Sequence, residues 1–111
     1  ADPGDPSRSC RPFSRSRTGL VLGEGAACVL LESFAHARAR GAAWHAELAG
    51  YGLATDRVHI TRPSVEGQAA AMRAALADAA MDGTAIDYVN AHGTGTAQND
   101  AVETAALKAV F

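Results

Sequence analysis

The sequence predicts an α/β layered fold with a mixed or parallel sheet. Three observations carry that expectation. Strand-like and helix-like segments alternate along the chain. One strand-like segment, 28–31, is a short continuous apolar run (Cys28, Val29, Leu30, Leu31), the pattern of a buried strand. The most polar glycine-rich loop follows a strand-like segment and precedes a helix, where such folds bind ligands.

The elements follow in order. Residues 1–18 read as loop, with three prolines, several serines and no sustained period. Residues 19–31 are apolar with paired glycines and end in the 28–31 strand. Ser33 can cap a helix over 34–40, with Arg38 and Arg40 in its last turn and Gly41 just past its end. A strand is expected over 46–52 and a loop over 53–63. A helix over 68–80 places Ala69, Met72, Leu76 and Ala79 on one stripe. Asp82, Gly83 and Thr84 break it. A strand over 86–91, a loop over 92–99 and a helix over 100–111 complete the chain. That last helix is apolar on most sides, so burial between other elements is expected. It runs to Phe111 without a cap, and the expectation is an internal piece of a larger protein.

Composition narrows the function classes. The chain has 111 residues, enough for one small domain at most. Its formal net charge of −2 argues against bulk attraction to nucleic acid or to an anionic membrane. No apolar run approaches the roughly 20 residues that span a bilayer. The amino-terminal stretch holds Pro3, Gly4 and Pro6 and lacks the apolar core of a signal peptide. Cys10 and Cys28 do not make a disulfide framework, so reduced thiols and a cytoplasmic location are expected. Nine of the ten basic side chains are arginine and alanine is abundant, which reads as coding bias.

Chemistry concentrates in 90–96, Asn-Ala-His-Gly-Thr-Gly-Thr. The glycines let backbone approach a ligand closely. Thr94 and Thr96 offer hydroxyls, and His92 can serve as acid, base or hydrogen-bond donor near neutral pH. The residues alone leave two readings open: a ligand loop, or a polar turn with a capping histidine. Asp100 and Glu103 are three apart at the expected helix start. The cap reading is favoured for Asp100, as in a capping box. Glu103 has apolar surroundings and needs a partner. Cys10 has no strand–turn–helix elbow around it and reads as an inert loop thiol. Cys28 reads as a small core residue. The histidines and cysteines show no metal-ligand spacing, so no metal is expected, and His36 and His45 read as surface residues. Arg8, Arg11, Arg15 and Arg17 form a basic cluster, either a solvated loop or a docking patch for an acidic partner.

At these residues the chain resembles a family. Arg11-Pro-Phe-Ser-Arg-Ser-Arg-Thr-Gly-Leu-Val-Leu-Gly-Glu-Gly-Ala26 is similar to the R-P-F-D-x-x-R-D-G-F-V-x-G-E-G-A segment of β-ketoacyl-acyl carrier protein synthases. His59-Ile-Thr-Arg-Pro63 resembles their H-x-T-x-P loop. Tyr88-Val-Asn-Ala-His-Gly-Thr-Gly-Thr96, with Asn99-Asp100 and Glu103-Thr104, resembles their first-histidine motif. Three motifs in order are far more specific than any one. The stretch 98–104 is most like the synthase II type of dissociated fatty acid synthesis and the ketosynthases of dissociated polyketide systems.

The resemblance implies a thiolase-like fold, present in part. It implies that residues 1–111 span the end of the amino-terminal half and the start of the carboxy-terminal half of a ketosynthase. The implied reaction is decarboxylative Claisen condensation of an acyl-enzyme with malonyl-acyl carrier protein, with the fragment itself inactive. Implied partners are acyl carrier protein, malonyl and acyl thioesters, and a second subunit in a homodimer or a ketosynthase heterodimer. No cofactor of the protein's own is implied, since phosphopantetheine arrives on the carrier protein. By resemblance His92 is the first active-site histidine. Thr94 and Thr96 bind the phosphopantetheine arm, and Thr61 sits near its entrance. Arg11 lies near the carrier protein, and Glu103 and Asp100 belong to a polar network behind the site. The nucleophilic cysteine, the lysine and the second histidine are not in this chain. Ser14 and Thr18 stand where the family often has aspartates, which is expected to unpair Arg15 or Arg17, and Leu20 stands where it often has phenylalanine. Two other readings compete: a non-catalytic partner subunit of a polyketide ketosynthase pair, and a thiolase-fold binding module.

Overall fold

The computed structural model describes residues 4–111, so the first three residues of the expected amino-terminal loop lie outside it. Three α-helices order the chain: α1 Phe34–Ala39, α2 Val65–Asp78 and α3 Ala97–Val110. Short 3-10 turns occupy Pro6–Arg8 and Gly83–Ala85.

Local chemistry sets the helix ends. Ser33 is in extended conformation and its hydroxyl accepts the His36 N–H, as expected. At the other end of α1, the Ala42 N–H reaches Ala37 O and the Gly41 N–H reaches Arg38 O, the paired closure of a Schellman turn. Helix α2 starts three residues before the expected position, because the Ser64 hydroxyl accepts the Gly67 N–H. It ends with Ala80 at a positive φ of 52°, while Met81 N–H bonds Leu76 O. Helix α3 also starts three residues early. Thr96 caps it by accepting the Asn99 N–H, and this corrects the expected capping role of Asp100.

No strand forms among the described residues, which corrects the strands expected over 28–31, 46–52 and 86–91. Apolar patterning marks a segment as able to join a sheet, but a strand exists only with a partner ladder. The 28–31 run is exposed: Val29 is 82% and Leu30 85% accessible. Cys28, expected in the core, is exposed for the same reason.

Packing centres on α2 against α3. Ala69 and Ala106 are buried there, and small side chains let the helix backbones approach. The Arg73 guanidinium donates to Ala109 O at 2.9 Å. The expected α2 stripe divides: Ala69 is buried, while Met72, Leu76 and Ala79 line an apolar pocket with Ile86, Val89 and Phe111. Segment 49–53 crosses α2 so closely that a Cβ at Gly52 would collide with the Ala71 and Ala75 backbone. Helix α3 is not buried all round. Its buried residues are Asn99, Asp100, Glu103 and Ala106, mostly polar and all toward one side.

The histidine loop and its groove

The loop 92–96 is fixed by two carboxylates from the first two turns of α3. Asp100 lies inside the helix, not at its cap, and is 2% exposed. Its Oδ2 accepts the Phe13 N–H at 2.7 Å and its Oδ1 the Gly95 N–H at 3.1 Å. The Arg17 Nε stands 3.6 Å away. Burial pushes the Asp100 carboxyl up. The bonds from Phe13 N–H, the Asn99 amide and Gly95 N–H, with the Arg17 charge, outweigh it and hold the carboxyl below its ordinary value.

These contacts dock the loop onto segment 11–19. The Gly19 N–H donates to Gly95 O at 3.0 Å. Gly95 has a φ of +74°, and a Cβ there would stand 2.9 Å from Gly19 O, so both backbone and space call for glycine. Arg17 donates to Thr96 O and Ala97 O at 2.9 Å each and to Ser14 O at 3.0 Å. Of the two arginines expected to lose a partner, Arg17 keeps partners, because backbone carbonyls and Asp100 take the place of the aspartates absent at 14 and 18.

Glu103 sits one turn further along. Its Oε1 accepts the His92 N–H at 2.6 Å and its Oε2 the Gly93 N–H at 2.9 Å. The Asn99 amide donates to Oε2 at 3.1 Å. The partner that a buried carboxylate needs is thus the backbone of the histidine loop.

With its backbone held from behind, the exposed His92 side chain opens on a groove of about 970 Å³. Thr61, Thr94 and Thr96 line the same groove, so four of the residues singled out in the sequence come together. Thr94 Oγ1 and Thr96 Oγ1 are 2.9 Å apart, and Thr94 Oγ1 is 3.5 Å from Asp100 Oδ1. Thr61 is positioned by His59, whose Nδ1 accepts the Thr61 N–H at 3.2 Å. Asp56 shapes that loop by accepting the N–H groups of Val58 and Ser64. Those bonds, from the Val58 N–H first, hold its carboxyl below the ordinary range.

Arg11 does not line the groove. It is half-buried and its Nε is shielded from solvent, next to Pro12 and Phe13 in sequence, which pack over Gly93. Cys10 and Cys28 are free and exposed and do not line the groove. Among the described residues no group of His, Cys, Asp or Glu could hold a metal ion, and no helix is long and apolar enough to cross a membrane. Sequence reading passed over Asp56, His59, Gln68 and Asn99 as site residues. His59 and Asn99 stand in quoted motifs, and the polar side chain at 68 carries no periodic signal of its own.

Residues 45–111 match the family model described as the C-terminal domain of beta-ketoacyl synthase. The chain belongs to the β-ketoacyl synthase family. Nodulation protein E of Rhizobium meliloti is 58% identical over 93% of this chain and 26% of its own length. A putative polyketide beta-ketoacyl synthase of Streptomyces halstedii is 53% identical over 94% of this chain and 25% of its own. The 3-oxoacyl-[acyl-carrier-protein] synthase 2 of Vibrio harveyi is 46% identical over 94% and 26%. Among solved structures, a beta-ketoacyl synthase of Burkholderia phymatum superposes with a TM-score of 0.89 at 50% identity, covering 91% of this chain and 25% of that one. A type II polyketide ketosynthase solved with its acyl-carrier protein superposes with a TM-score of 0.87 at 40% identity, covering 92% and 26%. This ketosynthase chain thus carries part of a thiolase-like fold. It spans about a quarter of the length of the relatives it matches.

Proposed function

We propose that this chain forms one wall of a ketosynthase site for decarboxylative Claisen condensation, with His92 as a catalytic residue. One observation supports the role above others. Glu103 fixes the His92 and Gly93 N–H groups from inside, and the imidazole is left facing the groove shared with Thr61, Thr94 and Thr96.

In this reading a malonyl thioester hangs from a carrier protein's phosphopantetheine arm along that groove. Thr94 and Thr96 hydrogen-bond the arm, and Thr61 guides it at the entrance. Loss of carbon dioxide leaves the bonding pair as an enolate, with charge on the thioester oxygen. An imidazole N–H aimed at that oxygen stabilises the transition state more than the ground state. The enolate carbon then attacks the acyl thioester on a cysteine, whose sulfur leaves as thiolate. That cysteine and a second histidine come from other parts of the ketosynthase. Residues 1–44 would close the amino-terminal half and residues 45–111 open the carboxy-terminal half, in keeping with the extent of the family-model match. Arg11 would face an acidic carrier protein, and a second subunit would complete the enzyme in the cytoplasm.

The test is paired and uses a full-length ketosynthase carrying this segment. His92→Ala is expected to lower carbon dioxide release from malonyl carrier protein by on the order of 10²–10³. Labelled acyl-enzyme formation should partly survive, because acyl transfer places charge on a different oxygen. A mutant that decarboxylates at the wild-type rate, or that loses acylation alone, overturns the role. The first of those outcomes is also the one a non-catalytic partner subunit would give.

A further inference from the structure

Behind Glu103 the groove wall holds two amide side chains, Asn99 and Gln68, to which the condensation reading gives no role. Glu103, accepting from His92 N–H, Gly93 N–H and the Asn99 amide, has only acceptor atoms. It therefore fixes the orientation of the Asn99 amide, with Nδ2 toward the carboxylate and Oδ1 away from it. Asn99 Oδ1 in turn accepts from Gln68 Nε2 at 3.3 Å, across from α3 to α2. That sets the Gln68 amide as well, and its Oε1 is left shielded from solvent with no donor. A flipped Gln68 would set its oxygen against the Asn99 oxygen. An unsatisfied buried acceptor is destabilising. The arrangement keeps it and uses the other end of the amide to hold Asn99.

We propose that Gln68 is a positioning residue for His92, acting through Asn99 and Glu103. It orients the Asn99 amide, the amide orients the Glu103 carboxylate, and the carboxylate sets the backbone at 92 and 93. Gln68 lines the groove, and in this role it acts through Asn99 and not on the reacting atoms. The inference rests on the catalytic reading of His92.

The variants are Gln68→Ala and Gln68→Met, the second keeping length without the amide, in the full-length ketosynthase. Each is expected to lower decarboxylation about five- to ten-fold, the scale of one hydrogen bond. Acyl-enzyme formation and KM for malonyl carrier protein should stay within about two-fold by the same measure. The Tm should change little, because the orphaned Gln68 oxygen is removed while Asn99 Oδ1 loses its donor. Added to His92→Ala, Gln68→Met should cause no further loss, since its effect passes through the imidazole. Equal loss in both half-reactions, a fall in Tm that tracks the activity, or a full additional loss in the double variant overturns the proposal. So does unchanged decarboxylation in both single variants. If His92→Ala itself keeps decarboxylation, the catalytic reading fails; if only the Gln68 variants depart from expectation, that reading stands and the relay fails.

Discussion

At the scale of single residues, Asp100 and Glu103 divide one task. Glu103 holds the loop at His92 and Gly93, and Asp100 ties its far side to Phe13. Asp100 has a depressed carboxyl pKa, so its stabilisation is present above the unfolded value near ~3.9 and is lost as pH falls through the folded value. Amide protection at Phe13 and Gly95, corrected for intrinsic exchange, should therefore fall as pH drops below about 4 in the full-length ketosynthase. In Asp100→Asn it should be lower at neutral pH and nearly flat over that range. Wild-type protection that stays level would remove Asp100 from this role. The sequence exposed the residues here but not their division of labour. Asp100 and Glu103 at a spacing of three fit a capping box, while Thr96 is by residue type an N-cap as well. Only the backbone shows that Thr96 caps the helix, which frees Asp100 to reach a segment remote in sequence.

At the scale of elements, the three helices were legible, each within a few residues, because Ser33, apolar periodicity and the Asp82–Gly83 break are local signals. The strands were not realised, because pairing is a property of two segments and sequence pattern describes one. The end of α2 shows a local conflict. Ala80 occupies the left-handed region that its Cβ disfavours, in a closure usually made by glycine. Ala80→Gly should raise stability by about 0.5–1 kcal/mol, seen as a higher urea midpoint in the full-length ketosynthase with unchanged slope. A lower midpoint would mean that the Ala80 methyl contributes packing that outweighs the backbone strain.

At the scale of the whole molecule, the surface is too large for the mass. A folded monomer of 11.4 kDa would expose about 5,800 Å², whereas this chain exposes 8802 Å². Its radius of gyration is 17.6 Å, against about 13 Å for a compact domain of this length. Leu22, Leu30, Leu48, Leu53 and Ile60 are all mostly exposed. In the proposed enzyme these faces meet further layers of the fold. The purified 111-residue chain should accordingly show no cooperative thermal transition and should associate with increasing concentration. A sharp calorimetric transition from a monomer would count against that. The family and the histidine loop were legible from three short motifs, which are local. The groove was not, since it joins Thr61 to His92 through folding alone. The two bonds that join segment 11–19 to the start of α3 also bear on the order of assembly. The Phe13 N–H and the Asp100 carboxylate are separated by 87 positions, and Arg17 reaches Thr96 across 79. Contacts of such separation close large loops and form after local ones. On the ribosome, segment 11–19 therefore waits until α3 has emerged, and the histidine loop is among the last parts of this chain to take shape.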